Sequence, residues 1–223
     1  EEARRDWCGR WRLEPRCRRD EPACASLGRR SPEVSKHVPV MVGTTRDELT
    51  YQLLMHPDFD GLDEDGLRRK LADQLRSRPD RFGAITSEQI EALVTAYRAT
   101  RPDARPQDLP VALASDTTRM ASIRLAEQRA AQPDAAPVFM YLFRWESPAL
   151  NGALKSTHTI EIPFVFDNLE VSDEYVGPRP ERQQLMEQVS GAWIAFARTG
   201  NPNHEGLPQW AAYDTTTRST MIF

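Results

Sequence analysis

An α/β fold is what this sequence predicts: a few sheet strands plus packing helices, incomplete as a domain. Three observations carry that expectation. Residues 137–145, Pro-Val-Phe-Met-Tyr-Leu-Phe-Arg-Trp, form a nearly continuous apolar run, the pattern of a strand buried on both faces. Residues 181–199 align Leu185, Val189, Trp193 and Phe196 at helical spacing. Strand-like and helix-like stretches then alternate in the order strand, helices, strand, histidine-bearing loop, helix, strand. Three strands are few for a chain of 223 residues, so the chain reads as part of a domain.

Residues 1–30 stand apart. They hold nine arginines, three cysteines and two tryptophans, with neither helical nor strand periodicity. Six acids reduce the net charge of this segment to +3, modest for a nucleic-acid tail. It reads as a disordered arm or as sequence that is not authentic, the change falling abruptly at Ser31. Beyond it, residues 38–43 (Val-Pro-Val-Met-Val-Gly) read as a short buried strand ending at the glycine, followed by a polar turn over 44–48 and a helical stretch over 49–55. Residues 56–66 read as an acidic loop. Its spacing superficially resembles a calcium loop, but Leu62 stands where an acid is needed, so a solvated linker is expected.

A short charged helix follows over 67–75. Thr86-Ser87-Glu88-Gln89 is a capping box that opens a helix with Ile90, Leu93, Val94 and Tyr97 on one face. Pro102, Pro106 and Pro110 act as breakers before a long helix over 111–131. After the strand at 137–145 and the helix at 181–199, Gly200-Asn201-Pro202 is a stop signal, and residues 220–223 read as one more strand.

Composition bounds the function. A formal net charge of −4 offers no electrostatic case for nucleic acid or an anionic membrane as partner. No run of 18 apolar residues exists, and residues 1–5 lack the apolar core of a signal peptide, which makes a cytoplasmic location the default expectation. Cys8, Cys17 and Cys24 are odd in number and fit no zinc spacing. Arginine supplies all but three of the 29 basic residues, a bias pointing to a GC-rich, bacterial-like genome.

His158 is the candidate for proton chemistry. It follows a polar approach (Asn151, Gly152, Lys155, Ser156, Thr157), read as flexible, and precedes the apolar run 160–166, which places an imidazole at the edge of a core. A histidine base needs an orienting carboxylate on its far nitrogen and a nucleophile on its near one. Glu48, just past the C-terminal end of a predicted parallel strand, is the best candidate carboxylate, and Asp47 competes with it. Each also reads as an acid satisfying free amides at a helix start, and spacing does not separate these readings.

Four motifs resemble a known family. Residues 38–48, Val-Pro-Val-Met-Val-Gly-Thr-Thr-Arg-Asp-Glu, resemble the turn carrying the acidic triad member of type-B carboxylesterases, which include cholinesterases and bacterial para-nitrobenzyl esterases. Residues 158–166, His-Thr-Ile-Glu-Ile-Pro-Phe-Val-Phe, look like that family's catalytic-histidine motif. Residues 193–203 resemble its C-terminal helix and stop, and Trp210 to Tyr213 with Met221 to Phe223 match its last turn and strand. The resemblance runs from about Ser31 to Phe223, in order.

It implies the C-terminal part of an α/β-hydrolase fold and a serine esterase triad, with Glu48 as orienting acid and His158 as base. Glu161 and Pro163 would pack around the histidine. Residues 50–135 would correspond to the variable helical region that walls the gorge, so Leu53, Leu54 and Met55 are the candidates to face substrate. The substrate implied for the full-length enzyme is a small carboxylic ester. No cofactor and no metal are implied, nor any nucleic-acid or membrane partner.

The chain departs from the family pattern in one respect. No Gly-x-Ser-x-Gly elbow and no glycine-rich oxyanion loop occur in it; Ser190-Gly191, the nearest approach, lies in a predicted helix. Two members of a triad are present without the serine, so the chain alone is expected to be inactive unless an N-terminal half complements it. The alternatives are a non-catalytic, cholinesterase-like binding protein and a fragment with no function of its own.

Overall fold

The computed structural model describes residues 33–223 except Asp60. The Arg- and Cys-rich segment 1–30, with Cys8, Cys17 and Cys24, lies outside the described residues.

The chain forms a parallel three-stranded sheet in which β1 (Val40–Thr45) and β3 (Met221–Ile222) flank β2 (Val138–Phe143). Between β1 and β2 run α1 (Thr50–Leu54), α2 (Glu64–Arg76), α3 (Pro79–Phe82), α4 (Ser87–Thr100) and α5 (Asp108–Ala130). Between β2 and β3 run α6 (Ile162–Val165), α7 (Asp173–Val176) and α8 (Arg182–Thr199). The alternation read from the sequence is therefore the architecture.

Side-chain alternation divides the sheet into two faces. Phe139 and Phe143, with Met41 and Tyr141, join a core built with α6, α8 and Trp210. Val138 and Met140, with Val40 and Val42, pack instead on Ala126 and Ile123 of α5 and on Tyr213. The central strand is thus covered on both sides, which is why it reads as an unbroken apolar run. All four periodic residues of α8 (Leu185, Val189, Trp193, Phe196) meet the first core.

A third cluster lies away from the sheet, where Leu67, Leu71 and Leu75 of α2 and Ile90 and Val94 of α4 enclose Leu109 and Leu113 of α5. Helix α5 therefore joins separate cores, its first turns packing on helices and on Leu53 and Phe59 and its last on the sheet.

Three boundaries differ from expectation, each for a local reason. Strand β1 does not end at Gly43 but stays paired through Thr45↔Phe143. Gly43 is there because it faces Tyr141: a Cβ at this position would lie 2.4 Å from Tyr141 Cγ. Helix α2 begins inside the expected acidic loop, because Asp63 caps it by accepting from Gly66 N at 2.7 Å, and Glu64 and Asp65 fill the first turn. Pro110 lies within the first turn of α5, where a missing N–H costs nothing. The capping box at Thr86 is present with both reciprocal bonds.

Gly191, which made Ser190-Gly191 the nearest approach to an elbow, sits in mid-helix. A Cβ there would lie 2.7 Å from the His204 ring, so it is a packing glycine. Gly200 ends α8 in the left-handed region, at φ 74°.

Candidate active site

The site grows from the C-terminal ends of two adjacent parallel strands, the usual place for function in such sheets. Past Phe143, the chain makes an excursion and returns beside the end of β1. Asp47 N donates to Ser156 O at 2.9 Å, and Asp47 and Thr157 form a parallel bridge that prolongs the ladder. Ser156 Oγ donates back to Phe143 O at 2.8 Å, and Thr157 Oγ1 accepts from Tyr51 N at 3.0 Å. Ser156 and Thr157 are fully buried. The approach to the histidine, polar by composition and expected to be flexible, is pinned by these bonds.

Held in this way, His158 Nδ1 lies 2.7 Å from Glu48 Oε2. A carboxylate only accepts, so Nδ1 carries the proton and Nε2 presents its lone pair. Nε2 has no hydrogen-bond partner among the described residues, and the His158 side chain is 57% exposed against 8% for Glu48. The acid is as fixed as the base is open: Glu48 Oε1 accepts from Thr45 N at 2.9 Å, and Glu48 N donates to Ser115 Oγ at 2.9 Å. The backbones also join, His158 N donating to Glu48 O at 3.2 Å. Tyr175 Oη donates to His158 O at 2.6 Å. Thr159, the next residue, is held at φ 69°, uncommon for a β-branched side chain and a form of strain that gathers at functional sites.

The structure separates the two carboxylates that spacing left open. Asp47 faces away from the imidazole, accepting from Arg46 Nε at 2.9 Å and from Ser156 N at 3.2 Å. It tethers the histidine loop, while Glu48 meets the ring. Of the three apolar candidates for a substrate wall, Leu53 is spent in a core with Phe59 and Val111, and Leu54 packs on the same cluster. Only Met55 is exposed. The helical turn of α1 points Leu53 inward, so the candidacy of Leu53 and Leu54 yields to packing.

Glu161 is more than packing. Its Oε2 is buried with no hydrogen-bond partner among the described residues, and burial pushes its carboxyl above the usual range. The Glu48 carboxylate pushes it the same way, and His158 opposes. Burial likewise raises the Tyr141 phenol, with Glu161 and Glu48 adding to it. Ser115, Thr157, Tyr175 and the charge on Glu161 carried no sequence signal, because each acts through a partner distant in the chain or through burial.

The other histidine with ring contacts among the described residues, His204, is engaged by backbone alone, with Nε2 3.0 Å from Gln188 O and Nδ1 accepting from Gly206 N. Among the described residues, the pairing of imidazole and carboxylate is therefore confined to Glu48 and His158.

Known proteins resemble this chain in sequence and in fold. The model of the carboxylesterase family matches residues 21–223. The chain is 32% identical over 220 residues to the para-nitrobenzyl esterase of Bacillus subtilis (strain 168), covering 94% of this chain and 38% of that protein. It is 31% identical over 195 residues to the phenmedipham hydrolase of Pseudarthrobacter oxydans, covering 85% of this chain and 36% of that protein. The crystal structure of a carboxylesterase from Geobacillus stearothermophilus superposes with a TM-score of 0.63 at 32% identity, over 83% of this chain and 36% of that one. The chain thus spans little more than a third of these relatives, with part of their α/β-hydrolase fold. With its strands, its final helix and its match over residues 21–223 in agreement, the chain belongs to the carboxylesterase family.

Proposed function

We propose that this chain supplies the acid and the base of a Ser-Glu-His triad for carboxylic ester hydrolysis, the serine and oxyanion donors coming from outside these 223 residues. The observation that carries the reading is the 2.7 Å contact between His158 Nδ1 and Glu48 Oε2, with Nε2 open. In the assembled enzyme, Nε2 takes the proton of a serine hydroxyl as it attacks the ester carbonyl, then returns it to the departing alkoxide. It next deprotonates the water that releases the acid from the acyl-enzyme. Glu48 holds the tautomer and balances the imidazolium that forms. Without a nucleophile and oxyanion donors this cycle does not start, and the chain alone is inactive.

The test is complementation. The chain is mixed with an N-terminal portion of the Bacillus subtilis para-nitrobenzyl esterase carrying a Gly-x-Ser-x-Gly elbow, and para-nitrophenyl acetate hydrolysis is followed. The expected result is silence from each piece and turnover from the pair. That turnover falls by roughly 10⁶-fold in His158→Ala and about 10⁴-fold in Glu48→Gln. Turnover by the chain alone that disappears in His158→Ala overturns the need for an outside nucleophile. Undiminished turnover of a complemented His158→Ala overturns the base.

A further inference from the structure

We propose that a polar cavity between α5 and the C-terminal end of β1 binds a small monocarboxylate through Arg119. The cavity has a volume of about 320 Å³, at the lower end for small-molecule sites. Four cations line it: Arg46, Arg101, Arg119 and Lys155. The three carboxylates that also line it are already engaged. Asp47 accepts from Arg46 Nε at 2.9 Å, and Asp108 lies 3.2 Å from Lys155 Nζ. Asp116 accepts from Tyr97 Oη at 2.9 Å and lies 3.7 Å from Arg101 Nη2.

Arg119 alone among the lining cations has no ion pair or hydrogen bond among the described residues. Including the partners just beyond the wall, Glu146 on Arg46 and Arg105 on Asp108, leaves the balance unchanged at one unmatched positive charge. Arg119 is half-buried as a residue, and a guanidinium whose donors are unused among the described residues is a fork shaped for a planar oxyanion. One spare charge fits a monoanion, and a phosphate dianion would meet repulsion from the three aspartates. Val111, Ala112 and Leu142 supply an apolar wall for a short alkyl tail.

The cavity is wired to the acid of the site. Ser115, one helical turn before Arg119, lines it and accepts the Glu48 N–H at 2.9 Å. Thr45, also on its wall, donates its N–H to Glu48 Oε1. An anion seated on Arg119 would thus press on the two groups that fix Glu48. Monocarboxylates are the class of anion that ester hydrolysis releases. That connection rests on the proposed function, whereas the binding itself does not.

The experiment titrates the 223-residue chain with sodium butyrate at constant ionic strength, sodium chloride making up the balance, and follows backbone amide shifts of Thr45, Ala112 and Ser115. Saturable shifts are expected with butyrate and not with chloride. Arg119→Gln should weaken them by about tenfold or more, and Arg119→Lys, which keeps the charge but not the fork, should fall between. Arg119 has no ion pair or hydrogen bond among the described residues, so its variants should keep the wild-type melting temperature. Shifts that follow ionic strength alone, or butyrate binding untouched by Arg119→Gln, overturn the proposal. Saturation by inorganic phosphate at lower concentration than butyrate overturns the monocarboxylate assignment. No step of the test needs esterase activity, so its failure and that of the triad are distinct.

Discussion

Gly43→Ala should cost stability through one ring. A Cβ at this position falls 2.4 Å from Tyr141 Cγ and 2.5 Å from both Cδ atoms. Carbon atoms pack at about 3.5–4.0 Å, so the ring must retreat by roughly 1 Å or the strands must part. Retreat is obstructed, since Tyr141 packs against Trp193 at 5.0 Å between centroids and against Phe223 at 6.4 Å. Overpacking of this kind costs about 1–3 kcal/mol, somewhat offset by the lower entropy of an unfolded chain with Ala. For a chain of this size that corresponds to a fall of roughly 2–12 °C in Tm. Urea unfolding followed by tryptophan fluorescence, on Gly43→Ala, Tyr141→Ala and the double variant, forms a cycle. The Gly43→Ala cost should nearly vanish when the ring is absent. Equal costs in both backgrounds would place the effect in the backbone of β1 and refute the reasoning.

Arg129 is buried, and its Nη2 donates to the carbonyls of Ser35, Lys36 and Val38 at 2.8, 3.2 and 2.8 Å. Arg129→Met keeps the stem but takes this donor from Val38 O, while Ser35 O keeps the Val38 N–H and Lys36 O the Ala136 N–H, for a loss of about 1–3 kcal/mol in urea midpoint analysis; a loss below about 0.5 kcal/mol would show that water replaces the guanidinium. For Glu161, whose folded carboxyl is raised by burial, the proton is favoured by the folded state. Its contribution is therefore full below the unfolded carboxylate range and lost as pH rises through the raised value. Glu161→Gln should raise Tm at pH 8 relative to wild type and leave it nearly unchanged at pH 4, and the reverse order would contradict the burial argument. The dyad should show as a downfield His158 Nδ1 proton in the chain by itself, lost in Glu48→Gln and kept in Asp47→Asn; loss in Asp47→Asn alone would reassign the acid.

What could be read in the sequence follows from how far each cause reaches along the chain. The apolar run of β2, the period of α8 and the capping box at Thr86 depend on neighbours within one element, and they appear where expected. The Glu48 and His158 motifs were legible because each is a short, ordered string. Spacing alone left the adjacent Asp47 open beside Glu48 and only the resemblance favoured Glu48, because which side chain turns toward the ring depends on the bridge Asp47↔Thr157, more than 100 positions away in the chain. Gly43 was read as a strand end because its cause, the ring of Tyr141, lies across the register in another strand. Arg129 and Ser115 sit in a helix like any polar residue, and their partners lie 91 and 67 positions away. Leu53 looked available for substrate because a short helix hides which of its faces is covered.

The same distances explain why a third of an enzyme fold can hold a formed site. Both strands that present the dyad, the bridge that extends them and the Ser115 and Thr45 contacts on Glu48 belong to this chain. Nothing that fixes the imidazole against its acid has to be supplied from elsewhere. What the geometry leaves open is Nε2 on the exposed side of the ring. On the proposed function, a serine delivered there would meet a base already in the correct tautomer, and assembly would position only the nucleophile and its oxyanion donors. On that reading, the ordering entropy of acid and base is met on folding, and the cost left for assembly would fall on the serine side alone.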